Sequence, residues 1–391
     1  VGEDTNADGI LGTDEVDDAL TRYICNGVDG QDGQDGGGSS GSGLDVGEEL
    51  ILQSLLGPSI AISGDGNNIL VASTDPFAEY DRIYSIYNIS DNSLNKIGQD
   101  IIIPQGGISN THEGGKINID GTKIILHKSA GFGTNLYKYY LINNTWQLQN
   151  TSSLPNGGYR ICDDFSTLIS GNTIYEIDSA TGSYLPTTTL PVDWSNDARY
   201  FHISSDGNKV AGSSINTGEN GIAKVFHKID NDWVQLGDDI TGPSDIIWNY
   251  GFGRNGSLSD DGLMFATPYN YDPIKYLIHS FLDGQWVSNY VYTNATAEAY
   301  GVHFDLDGEY LVMLSNTIAF GNTSEASINV LKNNNGTWAP HSSSYYDYGT
   351  SIYPYNNGSS NDRVWLLNSG TLVYLRANGA GYAKVITKKL F

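Results

Sequence analysis

The chain has 391 residues, with 20 Lys plus Arg against 45 Asp plus Glu and a formal net charge of −25. That balance argues against nucleic acid or an anionic membrane surface as a partner, since both require a basic patch, and no stretch approaches the roughly 18 apolar residues that span a bilayer. Forty-seven glycines, 26 tyrosines and only two methionines describe a turn-rich β protein.

In chain order, the first element is an acidic loop in "EDTNADGILGTDEVDDALTRYICNG" (3–27). A calcium loop of the EF-hand type places oxygen ligands at positions 1, 3, 5, 7 and 12 and Gly at 6. Counted from Asp4, these are Asp4, Asn6, Asp8, the carbonyl of Ile10, and Glu15, with Gly9 at the turn and Leu11 as the apolar anchor. Calcium is therefore the expected cofactor; a solvated acidic turn without an ion is the plainer alternative. With no second loop after it, the segment resembles a single dockerin-like or thrombospondin-type-3-like loop, in which Asp14 can replace Glu15. Thr13 is an expected helix N-cap, Val16, Ala19, Leu20 and Tyr23 share one face, and Asn26-Gly27 ends the helix. A helix of about three turns needs a surface to dock on. Residues 1–26 are thus read as a calcium loop with a short helix, and 27–44 as a Gly/Ser-rich, collagen-like linker through "GVDGQDGQDG" and "GGSSGSG", with too few triplets for a triple helix.

Residues 45–391 are expected to form one repeating domain. A chain this long exceeds the size of most single cores unless its units repeat radially. An inner hairpin turn recurs in "AISGDGNNILVAS" (61–73), "INIDGTKIILH" (117–127), "HISSDGNKVAGS" (202–213), "SLSDDGLMFAT" (257–267) and "HFDLDGEYLVML" (303–314). Degenerate versions are read at "ICDDFSTLIS" (161–170) and "GSSNDRVWLLN" (358–368). Asp-Gly at such a turn predicts positive φ at both residues. A second mark, an aromatic or Leu opening the last strand of each unit, falls at Leu94, Trp146, Tyr184, Trp233, Trp286, Trp338 and Tyr382, 38 to 53 residues apart. Seven units of four short strands predict an all-β, seven-bladed β-propeller, with the repeated Trp packed between neighbouring blades.

Residues 201–242, "FHISSDGNKVAGSSINTGENGIAKVFHKIDNDWVQLGDDITG", resemble FG-GAP-like propeller repeats of secreted proteins of marine Bacteroidetes. The resemblance is partial over 57–104 and 243–292 and poor over 154–192. It implies a secreted or surface propeller and transfers no catalytic site. The acidic opening through "YICNG" is also similar to exported proteins of that type. Val1 is read as a trimmed N-terminus whose export signal is gone, although a boundary inside a longer chain looks the same. Only "DLDGE" (305–309) approaches the calcium loop of integrin-type FG-GAP blades, so no calcium is expected in the blades.

Signals for chemistry are sparse. His202 and His303 each lie four residues before a turn Asp, Asp206 and Asp307; a two-His site facing the channel competes with a plain polar lining. Asp305 and Asp307 are paired carboxylates that turn chemistry also explains. Cys25 and Cys162 allow one bridge or two free thiols. Sequons at Asn88, Asn143, Asn150, Asn255, Asn294, Asn322, Asn335 and Asn357 are expected by chance in so Asn-rich a chain. The expectation is a secreted, non-enzymatic structural or adhesive protein of the cell surface or matrix. Its partners are other copies of itself, joined into a filament by the N-terminal arm, or surface proteins and glycans. A glycan-binding or glycan-cleaving propeller is the alternative.

Overall fold

The computed structural model describes residues 49–52, 60–74, 82–90, 93–103, 113–130, 133–155, 158–192, 201–214, 221–243, 252, 256–269, 274–294, 298–304, 308–318, 324–348, 364–366, 371–377 and 383–389. The chain divides into two compact units, Val1–Ser42 and Gly43–Phe391. The expected calcium ligands Asp4, Asn6, Asp8, Ile10 and Glu15, the helix after them, Cys25 and the 27–44 linker lie outside the described residues.

Every regular element among the described residues is a strand, and the strands form seven antiparallel sheets in chain succession. The first sheet is Ile60–Ile62, Asn68–Thr74, Arg82–Ser90 and Ser93–Lys96, with Ile101–Ile103 also paired to Arg82–Ser90. The second is Glu113–Ile117, Lys123–Ala130, Gly133–Ile142 and Thr145–Pro155, and the third is Arg160–Ile161, Thr167–Ser170, Thr173–Ile177 and Tyr184–Thr189. The fourth begins at Phe201–Ile203 and the fifth at Ser257–Leu258; each runs outward in the same sequential order, as does the sixth from Glu298–Phe304.

The inner hairpins explain why the repeat reads as it does. In "SGDGNN", Ser63 Oγ donates to Asp65 Oδ1 at 2.5 Å and accepts from the Asn68 N–H at 2.9 Å, while Asp65 Oδ1 accepts from the Asn67 N–H at 3.0 Å. The same triangle recurs in the fourth sheet through Ser204 and Asp206, and in the fifth through Ser259 and Asp261. Asn118 replaces the serine in the second sheet and Cys162 in the third. The turn Asp residues thus bond their own backbone, as Asx turns do. Positive φ at both turn residues is not what forms in the first five sheets: the Asp is ordinary and only the next residue is left-handed, at Gly66, Gly121, Gly207 and Gly262, with Phe165 at φ 66° in the third sheet. Gly308 of the sixth sheet is also left-handed, and the Asp before it lies outside the described residues. The two-residue turns lie instead at the outer hairpins, Asn143-Asn144, Asp283-Gly284 and Asn335-Gly336, each with both residues at positive φ.

The core is divided among the seams between consecutive sheets. Leu70, Tyr84 and Ile86 of the first sheet pack on Ile124, Leu126 and Trp146 of the second. Ile125 and Leu136 meet Phe165, Leu168 and Tyr184; Ile169 and Ile174 meet Phe201, Val210 and Phe226. Val225 and Leu236 meet Phe265 and Leu277, and Tyr276 and Ile278 meet Leu311, Leu331 and Trp338. A series of sheets each packed face to face on the next is the arrangement of a β-propeller. The expected aromatic wedges are present: Trp146 Nε1 donates to Ile97 O at 3.0 Å and Trp286 Nε1 to Leu236 O at 2.7 Å, in each case one sheet back. A glycine follows each acceptor because a Cβ on Gly98 would lie 2.8 Å from Trp146 Cδ1.

The last sheet departs from the sequence reading. Its order is Val364–Leu366, Thr371–Ala377, Ala383–Lys389 and then Glu49–Leu52, so the strand that Tyr382 precedes is third in its sheet. The outer strand comes from the other end of the domain. The degenerate turn assigned to 358–368 is also displaced: Val364–Leu366 inside it is a strand, and the hairpin connection spans 367–370. Tyr382 itself lies outside the described residues.

Candidate functional site at the junction of the second and third sheets

Titratable and nucleophilic side chains concentrate where the second sheet faces the third. Counting back from the outer hairpin, Lys138 occupies the place of Ile86, Val225, Ile278 and Val330, all 1% exposed or less. Lys138 is itself only 4% exposed. Its Nζ donates to Gly182 O at 2.8 Å and lies 5.4 Å from the Tyr184 ring centroid and 5.9 Å from that of Tyr140. Burial, helped by the Lys123 charge, lowers its pKa to about 8. The carbonyl dipole and the two ring faces oppose that shift by favouring the ammonium.

Around it, Tyr184 Oη donates to Phe165 O at 2.6 Å, and burial, with the nearby Cys162, Tyr159, Tyr140 and Asp164, pushes its pKa well above the usual phenol range. His127 Nδ1 and Tyr159 Oη are 3.0 Å apart with their rings edge to face, and burial raises the Tyr159 pKa as well. The Cys162 thiol donates to Asp164 Oδ1 at 3.1 Å and accepts from the Thr167 N–H at 3.2 Å; burial pushes its pKa up, so it is held as a thiol. Burial works against ionisation of Asp164, but bonds from Ser166 and Cys162 hold it below the usual carboxylate range.

A more exposed polar row runs along the inner turns. Main-chain bonds link successive sheets there, from Asp65 N to Ile119 O, from Ile119 N to Asp163 O and from Asp163 N to Ser205 O. Lys116 Nζ donates to Ile161 O at 2.7 Å and lies 3.4 Å from Asp163 Oδ1. Ser205 Oγ sits between Asp163 Oδ2 at 2.8 Å and Asp260 Oδ1 at 2.5 Å. Side chains of four consecutive sheets therefore meet in one row that ties the inner turns together. Among the described residues no three His, Cys, Asp or Glu side chains converge as a metal-binding group.

Of the residues singled out by sequence, His202 lies on an inner strand as expected. Its ring is buried against Phe265 of the next sheet, 5.7 Å between centroids, and so packs in a seam. His303 is on the equivalent strand of the sixth sheet, one residue before its end at Phe304; Asp305 and Asp307 lie outside the described residues. Cys162 is a free, buried thiol. Asn88 and Asn150 spend their amides on internal acceptors, whereas Asn143 and Asn335 stand at exposed hairpin tips. Sequence reading passed over Lys138, Lys116, Asp163 and Asp260. Signals existed: a lysine inside an otherwise aliphatic strand position, and a doubled Asp in "CDDF" and "SDDG".

No protein-family model matches the chain, and no curated protein matches it. Among solved structures, it is similar to a putative 6-phosphogluconolactonase from Bacteroides uniformis ATCC 8492, at 12% identity over 74% of this chain and 88% of that one, with a TM-score of 0.47. A second putative 6-phosphogluconolactonase, from Bacteroides fragilis NCTC 9343, aligns at 12% identity over 74% and 86% with a TM-score of 0.45. TolB from Acinetobacter baumannii aligns at 14% identity over 83% of this chain and 65% of that one, with a TM-score of 0.40. Likenesses this distant assign no activity. The propeller arrangement rests on strand order and on the cores between sheets.

Proposed function

We propose that this chain is an extracellular structural or adhesive subunit: a seven-bladed propeller that displays its N-terminal segment to neighbouring copies, building a filament or matrix. The observation that carries this reading is the origin of the seventh sheet's outer strand. Because Glu49–Leu52 fills that place, the chain ahead of it joins the domain at an outer sheet edge, where a neighbouring subunit is in reach. Between the second and third sheets, Lys116, Lys138 and Asn150 of the second each donate to a main-chain carbonyl of the third, which suits a scaffold. The acidic composition suits surroundings rich in cations, which screen carboxylates. In this proposal Asp4, Asn6, Asp8, the Ile10 carbonyl and Glu15 hold calcium, and the ion orders the arm for docking. Light scattering and electron microscopy of the full chain against a chain lacking residues 1–44 test it. The full chain assembles with calcium and disperses with a chelator, and the shortened chain assembles less and no longer responds to calcium; assembly unchanged by the deletion overturns docking by residues 1–44.

A further inference from the structure

The seventh sheet differs from the others in how its outer strand is attached. In the second, fourth, fifth and sixth sheets a two-residue loop ties the third strand to the outer one, at 143–144, 230–231, 283–284 and 335–336, so the outer strand cannot leave alone. In the seventh, Glu49 pairs with Ile386, Leu50 with Val385, Ile51 with Lys384 and Leu52 with Ala383, although the two strands come from opposite ends of the domain. No hairpin restrains this pairing. Glu49–Leu52 is the one outer strand among the described sheets that a second molecule can supply without disturbing any other pair.

We propose that Glu49–Leu52 is exchanged between copies, the strand of one molecule completing the seventh sheet of the next. This deepens the filament reading and rests on it. A strand ladder is recognised through its main-chain N–H and C=O groups, so the bonds are the same whether the strand comes from the same copy or from another. The ladder is only four residues long, and a pairing this short is released at low cost. The accepting strand "AKVITKK" carries three of the chain's 20 basic residues, while the donor is preceded by Glu48 and opens with Glu49. In register, Lys384 and Lys388 are the diagonal neighbours of Glu49. Copies with a net charge of −25 repel one another, so a basic acceptor edge and an acidic donor mark where they are drawn together. Residues 53–59 join the donor to the inner strand at Ile60 and reach at most about 25 Å, so exchanging copies must abut. Each copy gives one strand and takes one. Passed on head to tail, such a contact builds an open filament, whereas reciprocal exchange between two copies closes it as a dimer.

Cross-linking in register tests the exchange. In a Cys25→Ser, Cys162→Ser background, Ile51→Cys and Lys384→Cys are made singly and together, and the two single variants are co-expressed and oxidised. Exchange predicts a covalent dimer whose joined peptides, by mass analysis, contain position 51 of one copy and position 384 of the other, and a ladder of oligomers from the double variant. A double variant that closes only within its own chain, with no mixed dimer from the single variants, overturns the exchange. If the wild-type chain still assembles by light scattering in that case, docking by the arm survives; if it stays monomeric, the filament reading falls as well.

Discussion

The second sheet presents two unlike faces, although the same strands build both. Toward the first sheet it shows Ile117, Ile124, Leu126 and Trp146, an apolar surface pinned at Trp146 by the indole bond to Ile97 O and by the Gln99 amide bonded to its main chain. Toward the third it shows Ile125 and Leu136 beside His127 and Lys138. Strict alternation permits this, since Ile124 and Ile125, adjacent in sequence, serve different neighbours. The difference follows from the partner. The third sheet's strands are two, four, five and six residues long against five, eight, ten and eleven in the second, so it brings less ladder and less apolar surface. Hydrogen bonds across the seam take over part of the task, from Lys116 to Ile161 O, Lys138 to Gly182 O and Asn150 to Thr181 O. A repeat fold thus tolerates a short unit when its neighbours reach over to hold it.

Breaking the apolar face has the largest effect. Trp146→Ala removes a side chain 3% exposed and leaves Ile97 O without its donor. The expected loss is about 3–5 kcal/mol, read as a lower denaturant midpoint. On the other face, Phe165 is held at φ 66° while its ring is 1% exposed. Phe165→Gly relaxes the backbone but empties the seam, for a net loss of about 2–3 kcal/mol. Phe165→Ala empties it equally and keeps the left-handed strain, so it is expected to be about 1 kcal/mol less stable than the glycine variant. Ala is ordinarily the better tolerated of the two, by about 0.5–1 kcal/mol; an alanine variant more stable than the glycine variant by that margin would show that the backbone there carries no strain.

Lys138→Met tests whether the charged seam is a substitute for an aliphatic one. Methionine restores the chemistry of Ile86, Val225, Ile278 and Val330, and replacing a buried charge by an apolar chain is commonly neutral or stabilising; a gain of about 1 kcal/mol is expected. The pH dependence adds a second readout. The folded pKa of about 8 lies below the ordinary 10.5, so between these values the unfolded chain binds more protons and stability rises with pH. Above about pH 10 the buried tyrosines act in the opposite direction, because their raised pKa values favour the unfolded state as the phenols ionise. The wild type is therefore expected to gain thermal stability from about pH 8 to about pH 10, and Lys138→Met to lose that gain.

Much of this comparison was legible in the sequence, and the limits have physical causes. The inner turns were readable because Ser, Asp and Gly each perform a local task, and six of the seven aromatic or leucine marks open the outer strand of their sheet. The positive-φ expectation failed at the inner Asp because a left-handed glycine after an Asx turn writes the same Asp-Gly pair as a two-residue hairpin. The Asn-Asn and Asn-Gly pairs just before Trp146 and Trp338 carried the true two-residue signal. The closing strand was missed because "ELIL" is short and its partner lies at the far end of the domain. Lys138 was missed because one lysine in a strand reads as solvent-facing until its register places it in a seam.

The smallest expected effect concerns Cys162, and it separates turn chemistry from thiol chemistry. Its Sγ makes the same two bonds that serine oxygens make at Ser63, Ser204 and Ser259, one to the turn carboxylate and one from a backbone N–H. Oxygen forms both more strongly than sulfur, yet it is smaller, and at this turn the neighbouring sheet is shaped to the larger atom: a Cβ on Gly207 would lie 3.0 Å from Cys162 Sγ. Better hydrogen bonds and poorer packing oppose each other, so Cys162→Ser is expected to shift the denaturant midpoint by less than about 0.5 kcal/mol in either direction. A loss of several kcal/mol would mean that the thiol has been fitted to this seam for a reason the turn does not supply, and the equivalence of the third inner turn with the other four would no longer hold.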